Sequence, residues 1–179
     1  MRIIAGKLGG RIFASPKGHA THPMADRVRG GLFNTLGDIQ GLTVLDAFAG
    51  SGALSFEAVS RGAAHVVAID EDKDAYRTIV ENIVLLNLDE KVEAIRRRAG
   101  SWVSGHTDTY FDLIFCDPPY TDLRRDLLQK IASRLKPTGI YVLSWPGHEP
   151  APKFTTLKLL RQKNYGDAQL IFYAPIFAN

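Results

Sequence analysis

The sequence is poor in several features that define other protein classes. It has one cysteine among 179 residues, which excludes an internal disulfide and is compatible with a reducing compartment. No apolar run approaches the length needed to cross a bilayer, and no signal-type segment begins the chain, so we expect a cytoplasmic protein without membrane contact. The five histidines lack metal-ligand spacing, and no metal is expected. Internal repeats and long linkers are also missing, which favours a single domain over residues 1–179.

The net charge of +3 is distributed unevenly along the chain. Residues 1–29 have a net charge of +5, so the other 150 residues carry −2. A basic arm on a near-neutral body indicates a polyanionic partner, although so few charges also fit an ordinary solvated surface. The cations expected to contact nucleic acid are Arg2, Lys7, Arg11, Lys17, Arg27 and Arg29.

Apolar periodicity predicts an α/β fold. Two short strands at 2–6 and 10–13 are expected to form an N-terminal hairpin, followed by a helix over 24–37. From residue 43 strands alternate with helices, which implies a mostly parallel sheet with helices on both faces, and a final hairpin adds an antiparallel edge. The predicted strands of this part are 43–45, 65–69, 92–95, 110–116, 140–145, 155–160 and 170–174, and the predicted helices are 53–60, 74–86 and 123–135.

The stretch Asp117-Pro118-Pro119-Tyr120 follows an apolar run that is typical of a buried strand. Since two prolines cannot continue a strand, the stretch is expected at the carboxyl edge of the sheet, where ligands bind in open α/β folds. Its residue types suit the methylation of a planar exocyclic amine on a nucleobase. The Asp117 carboxylate and the Pro118 carbonyl would accept the two N–H bonds of the amine, and Tyr120 would stack on the base. A proline turn capped by an aspartate is the alternative that involves no ligand.

Residues 46–54 form a glycine-containing segment between a predicted strand and a predicted helix. Its glycines allow a tight turn beside a ligand, and Asp70, at the end of the next strand, is suited to bind ribose hydroxyls. A dinucleotide enzyme would have a third glycine where this chain has Ser55. Asp46 at the start of the segment would repel a pyrophosphate and attract a cation, which favours S-adenosylmethionine with its positively charged sulfur.

The motif Asp46-x-Phe-Ala-Gly-Ser-Gly-Ala-Leu, followed by Asp117-Pro-Pro-Tyr, resembles the class I methyltransferases that act on exocyclic amines. The N-terminal segments Arg2-Ile-Ile-Ala-Gly and Asp26-Arg27-Val28-Arg29-x-x-Leu32-Phe33-Asn34 narrow the resemblance to the RsmD family, bacterial enzymes that methylate a guanine N2 in 16S ribosomal RNA. The similarity extends from Arg2 to Tyr173. It implies a Rossmann-like class I methyltransferase fold with a seven-stranded sheet.

The resemblance also implies which residues form the site. Asp117, Pro118 and Tyr120 would hold the target base as the catalytic residues. Residues 1–37 would contact RNA and residues 38–179 would form the catalytic core. The partner would be ribosomal RNA, free or within the small subunit. The protein is expected to be a monomer. The residues expected to bind the cofactor are Asn34, Asp46, Phe48, Gly50, Gly52 and Asp70, together with the backbone of Ala99.

Three positions depart from the family pattern. Arg98-Ala99-Gly100 stands where an acidic residue often lies near the adenine of the cofactor. Gly30-Gly31 replaces a more usual glutamate or alanine, and Ser144 stands at a place that is often acidic.

Three functions remain open from the sequence. The leading interpretation is transfer of a methyl group from S-adenosylmethionine to guanine N2 in 16S ribosomal RNA. An adenine-N6 DNA methyltransferase would use the same tetrapeptide, but the chain has no separate target-recognition domain. A catalytically silent RNA-binding assembly factor would retain the cofactor pocket, and the intact Asp117-Pro-Pro-Tyr argues against it.

Overall fold

The computed structural model of the chain describes residues 1–16 and 24–176, so Lys17 lies outside the described residues. No helix among the described residues is both long and apolar enough to cross a membrane. The helices are α1 (Asp26–Leu36), α2 (Ala53–Ser60), α3 (Lys73–Leu86), α4 (Ala99–Gly105) and α5 (Arg125–Ala132). The strands are β1 (Thr43–Asp46), β2 (His65–Asp70), β3 (Val92–Arg96), β4 (Phe111–Cys116), β5 (Leu135–Pro146), β6 (Leu157–Asn164) and β7 (Ala168–Pro175).

The seven strands form one sheet in the order β3-β2-β1-β4-β5-β7-β6. Parallel pairing joins β1 to both β2 and β4, whereas β7 runs antiparallel to its neighbours β5 and β6. The predicted parallel sheet with an antiparallel edge is therefore confirmed. Because the strand order reverses beside β1, the carboxyl ends of β1 and β4 border a crevice, which is where open α/β sheets bind ligands.

Helices cover both faces of the sheet and create two hydrophobic cores. Neighbouring residues of one strand point to opposite faces, so Val44 of β1 belongs to the core under α1, α2 and α3, and Leu45 to the core under α4 and α5. Both side chains are fully buried. This double coverage explains why the central strands are apolar runs rather than alternating patterns.

The N-terminal segment departs from the predicted pair of strands. Arg2 and Ile12 form a single antiparallel bridge instead of a ladder. The reason lies in α2, where the buried carboxylate of Glu57 accepts the backbone N–H groups of Ile4 and Ala5 at 2.7 and 3.2 Å. Because these donors point at a helix, they cannot extend a ladder toward the turn.

Helix α4 has no counterpart among the predicted elements. Its seven residues include two glycines and two serines, which have low helix propensity, and burial of Trp102 and Val103 stabilises it. Strand β5 also begins earlier than predicted. The expected stop at 136–139 lies inside the strand. The pairing with β4 is irregular there, since Phe111 pairs with Leu135 and Leu113 with Ile140.

Candidate active site

A cleft of about 1020 Å³ opens at the carboxyl ends of β1, β2 and β4. The glycine segment that follows β1 lines its base, and Asp70 to Asp72, at the end of β2, line one side. Residues 117–122, which follow β4, line the other side. The fold therefore brings together the glycine segment and the Asp117-Pro118-Pro119-Tyr120 motif, which are distant in sequence.

Two glycines in the left-handed region shape the segment between β1 and α2. Gly50 has a φ of 52° and Gly52 a φ of 78°, angles that glycine adopts at little steric cost. A Cβ atom on Gly52 would lie 2.6 Å from the Phe56 ring, so glycine is also required by the packing of α2. Phe48 and Gly50 line the cleft, whereas Gly52 lies behind it and supports the turn.

The Asp70 carboxylate is fixed at the side of the cleft by two backbone donors. The Gly50 N–H donates to Oδ2 at 2.7 Å and the Asp72 N–H donates to Oδ1 at 2.9 Å. Burial raises the pKa of Asp70 above its ordinary value, and the two hydrogen bonds oppose that rise. Since a carboxylate has about four acceptor positions, each oxygen keeps a lone pair for a ligand hydroxyl.

Asp46 lies beneath the glycine segment and does not line the cleft. The Ser55 hydroxyl donates to Oδ2 at 2.7 Å, and Oδ1 has no partner among the described residues. Burial raises the pKa of Asp46 to about 7, with smaller contributions from the nearby carboxylates of Asp117 and Asp70. The structure therefore places Asp46 beneath the turn rather than at the surface of the cleft, and the cofactor-binding role of Asp46 stays a prediction.

The tetrapeptide after β4 presents an acid and an aromatic ring to the cleft. Asp117 and Tyr120 both line it, and the Tyr120 side chain remains 40% exposed. Burial raises the pKa of Asp117, and a hydrogen bond with Ser144 lowers it in part. The Tyr120 hydroxyl and the Ser144 hydroxyl share a hydrogen bond of 2.8 Å in which either oxygen can donate. Ser144, on β5, thus lies beside both functional side chains.

The sequence analysis named Ala99 as a site residue, but it missed helix α4 as an element and gave Ser144 no role in the site. The sequence singles out Ser144 only as a departure from a family pattern. Ala99 and Gly100, at the start of α4, line the cleft, and Arg98 just before them pairs with Glu71 at 2.8 Å. The apolar pair Trp102-Val103 is the signal that could have indicated this helix.

Asn34 is not brought to the cleft, although the resemblance implies a position near the cofactor. Helix α1 buries Leu32 and Phe33 against the sheet, and the following residue therefore faces solvent. Asn34 is exposed and does not line the cleft.

Arg29 is fully buried and does not belong to the basic surface that the sequence predicts. Its guanidinium donates to the Arg2 carbonyl at 2.7 Å and to Asp26 at 2.9 Å, and it lies 3.9 Å from Glu57. A side chain with this surrounding cannot reach a phosphate. Arg29 instead fastens the N-terminal segment to α2.

The other predicted cations have different surroundings. Arg11 donates to the carbonyls of Leu85 and Leu86 at 3.1 and 3.4 Å, so it caps the carboxyl end of α3. Arg2 pairs with Asp26 at 3.3 Å and is mostly exposed. Lys7 and Arg27 are exposed. Among the described residues, no group of three or more His, Cys, Asp or Glu side chains forms a metal site.

Comparisons with known proteins cover nearly the whole chain. The profile of a family described as "Conserved hypothetical protein 95" matches residues 1–174. The Ribosomal RNA small subunit methyltransferase D of Escherichia coli K12 is 35% identical over 140 residues, which are 78% of this chain and 68% of that protein. The protein of the same name from Haemophilus influenzae is 31% identical over 172 residues, 93% of this chain and 89% of that protein.

A solved structure gives the same result at the level of the fold. A hypothetical protein of Thermus thermophilus superposes with a TM-score of 0.81 at 28% identity, over 98% of this chain and 99% of that chain. The sheet order and the named relatives together show a Rossmann-like class I methyltransferase fold.

Proposed function

The chain belongs to the family described as Conserved hypothetical protein 95, which includes the RsmD enzymes, and on this premise we propose that it methylates guanine N2 in 16S ribosomal RNA. The methyl donor would be S-adenosylmethionine. The proposal rests on one observation: Asp70 and the Asp117-Pro118-Pro119-Tyr120 motif line the same cavity. Ribosomal RNA is the substrate class that the names of the relatives support.

The residues of the cleft fit S-adenosylmethionine. Asp70 retains acceptor positions suited to ribose hydroxyls. The cleft is lined by six acidic and four basic residues, and this balance favours a cationic ligand over a pyrophosphate. When bound, S-adenosylmethionine supplies a methyl group on a sulfonium, which is a good leaving group. The cavity of about 1020 Å³ lies just above the roughly 300–1,000 Å³ that is usual for small-molecule sites. This size supports the binding of a cofactor and a nucleobase side by side.

Asp117 and Pro118 would bind the exocyclic amine of the base. The Asp117 carboxylate and the Pro118 carbonyl accept its two N–H bonds, which directs the nitrogen lone pair at the methyl carbon. In an in-line displacement the nitrogen would form a bond to the methyl carbon as the carbon–sulfur bond of the donor breaks. The sulfur would leave as a neutral thioether, without a covalent enzyme intermediate. The surplus proton passes to the Asp117 carboxylate and then to water, and the raised pKa of Asp117 favours this acceptance.

Tyr120 would provide the surface on which the flipped base stacks. Its ring is partly exposed at the cleft, and its hydroxyl is held by Ser144. Stacking on an aromatic side chain is worth about 1–3 kcal/mol per base. A base in an RNA loop can reach such a position at a cost of only a few kcal/mol.

Labelled methyl transfer tests the proposal. Small ribosomal subunits from a strain that lacks the enzyme are incubated with the protein and methyl-labelled S-adenosylmethionine, and the RNA is then digested to nucleosides. Label in N2-methylguanosine is the expected result. Label only in N6-methyladenine, with DNA or RNA as the acceptor, would show an adenine enzyme, and tight binding without transfer would indicate a silent assembly factor.

A further inference from the structure

Strand β6, at the edge of the sheet, has the charge of a polyanion-binding surface. It contains Lys158, Arg161 and Lys163 and no acidic residue. Lys158 and Arg161 are exposed, and Lys163 is half-buried. None of the three forms an ion pair with another described residue.

A bulge in β6 brings these three cations to one face of the sheet. In a regular strand, Lys158 would point away from Arg161 and Lys163, because successive side chains alternate. The pairing shifts between Leu159 and Arg161, so that Leu160 is the extra residue.

The partners of the cations in β7 show which face they share. After the shift Arg161 pairs with Phe172 and Lys163 with Leu170, and before it Lys158 pairs with Ala174. Leu170, Phe172 and Ala174 are every second residue of β7, so their side chains point to the same face of the sheet. Phe172 and Leu170 belong to the core under α1. Lys158, Arg161 and Lys163 therefore all lie on the α1 face.

The same face of β6 lies beside the candidate active site. Lys163 pairs with Leu170 in β7, and Leu170 pairs with Ser144 in β5, whose hydroxyl holds Tyr120. Two strand spacings separate Lys163 from Ser144, which is about 10 Å. If the target base of a nucleic-acid strand lies at Tyr120, the phosphates on either side of that base can therefore reach the cations of β6.

The turn between β6 and β7 fixes this edge against α1. The Tyr165 side chain occupies the space in which a side chain on Gly31 would stand. The Asn164 side chain donates to the Gly147 carbonyl at 3.3 Å, and the Gly147 N–H donates to the Asp167 carbonyl at 2.8 Å. The cations of β6 are thus carried by an edge that is anchored to both α1 and the end of β5.

We propose that Lys158, Arg161 and Lys163 form a second RNA-binding surface, which contacts the phosphates flanking the target nucleotide. The inference rests on the proposed function for the identity of the polyanion. Edge protection is the simpler use of charges on a terminal strand, but it works equally well with cations on alternating faces. A bulge also protects an edge, but edge protection does not require the three cations to share one face of the sheet. That face lies beside α1, and Met24, just before α1, lines the cleft.

The test compares two double variants with matched loss of charge. Arg161→Gln/Lys163→Gln removes the two cations nearest the cleft, and Arg77→Gln/Lys91→Gln removes two exposed cations from the opposite end of the sheet. Binding of protein-free 16S ribosomal RNA is measured across a series of salt concentrations. If both cations contact phosphates, the log–log salt slope of the first variant falls by about 1.4–1.8 units, whereas that of the control is unchanged.

Two further measurements separate this inference from the proposed function. Calorimetry should give the same affinity for S-adenosylmethionine in both variants, and Arg161→Lys/Lys163→Arg should retain the wild-type slope because it keeps the charge. An unchanged slope in the folded first variant, with active wild-type enzyme, would overturn the β6 surface alone. A wild-type protein that transfers no methyl group to RNA would overturn the proposed function, and the salt slopes would still decide whether β6 binds RNA.

Discussion

At the scale of single residues, the candidate site joins acids at the ends of strands to partners that lie elsewhere in the chain. Asp70 and Asp117 could be predicted because each ends a strand, and parallel strands present their ends at one edge of the sheet. The contact of Ser144 with Tyr120 depends on the pairing of β4 with β5, which no local pattern encodes. The burial of Arg29 was equally hidden, since its partner Glu57 lies on another helix.

Replacement of Asp117 by Asn should abolish most methyl transfer. The change keeps the size of the side chain but removes the charge that binds the amine, so kcat/KM should fall by about 10²–10³. The affinity for S-adenosylmethionine, measured by calorimetry, should stay close to that of the wild type. Asp122→Asn is the control, because Asp122 also lines the cleft but points its carboxylate at Arg124. Equal activity in the Asp117 variant and this control would show that the tetrapeptide only ends strand β4 and takes no part in methyl transfer.

The hydrogen bond between Tyr120 and Ser144 should contribute to activity as one unit. Tyr120→Phe and Ser144→Ala each remove it, and each should lower kcat/KM by an amount corresponding to about 0.5–1.5 kcal/mol. The double variant should lose less than the sum of the two single losses, because the second change removes nothing further from that bond. Ser101→Ala, elsewhere in the cleft, should have no effect. Strictly additive losses would show that the two hydroxyls act separately.

The buried Asp46 should make the stability of the protein depend on pH. Its pKa in the folded state is raised from 3.8 to about 7, so the folded protein binds the proton more tightly than the unfolded chain. Stability from this group is present below pH 3.8 and is lost as the pH rises toward 7. Asp46→Asn removes the titration. The free energy of unfolding of the variant relative to wild type should therefore rise with pH across this window, by up to about 4 kcal/mol. A difference independent of pH would contradict the burial of an ionisable carboxyl at this position.

At the scale of elements, periodicity predicted the long strands and helices well and the short or irregular ones poorly. α3 and β4 have strong patterns, and both were predicted close to their observed bounds. α4 was missed because packing of Trp102 and Val103, rather than propensity, stabilises it. The N-terminal hairpin was only partly right, because a helix carboxylate takes the N–H groups that a second strand would need.

Glu57 should be the main link between the N-terminal segment and α2. It accepts two backbone N–H groups and the Arg61 guanidinium, and it faces Arg29 inside the protein. Glu57→Gln leaves the Arg29 charge poorly compensated, so urea denaturation should show a loss of about 3–5 kcal/mol. The matched change Glu81→Gln, in an exposed pair with Arg77, should cost less than about 0.5 kcal/mol. Similar small losses in both variants would mean that Glu57 does not hold the segment in place.

At the scale of the whole molecule, the fold class followed from the alternation of strands and helices, whereas the charged surface did not follow from the count of charges. The sequence assigned the basic surface to the N-terminal arm. The structure uses Arg29 and Arg11 of that arm for internal contacts and leaves Lys7 and Arg27 exposed. The cations of β6 share a face only because of a bulge, and a bulge cannot be read from composition.

Mass spectrometry of 16S ribosomal RNA tests whether this cleft methylates a guanine N2 of that RNA. The RNA is compared among the wild-type strain, a strain from which the gene is deleted, and deletion strains that carry either the wild-type chain or its Asp117→Asn variant. We expect one N2-methylguanosine to disappear on deletion, to return with the wild-type chain, and to stay absent with the variant. An unchanged content of N2-methylguanosine in the deletion strain, or its return with the Asp117→Asn variant, would contradict the proposed activity.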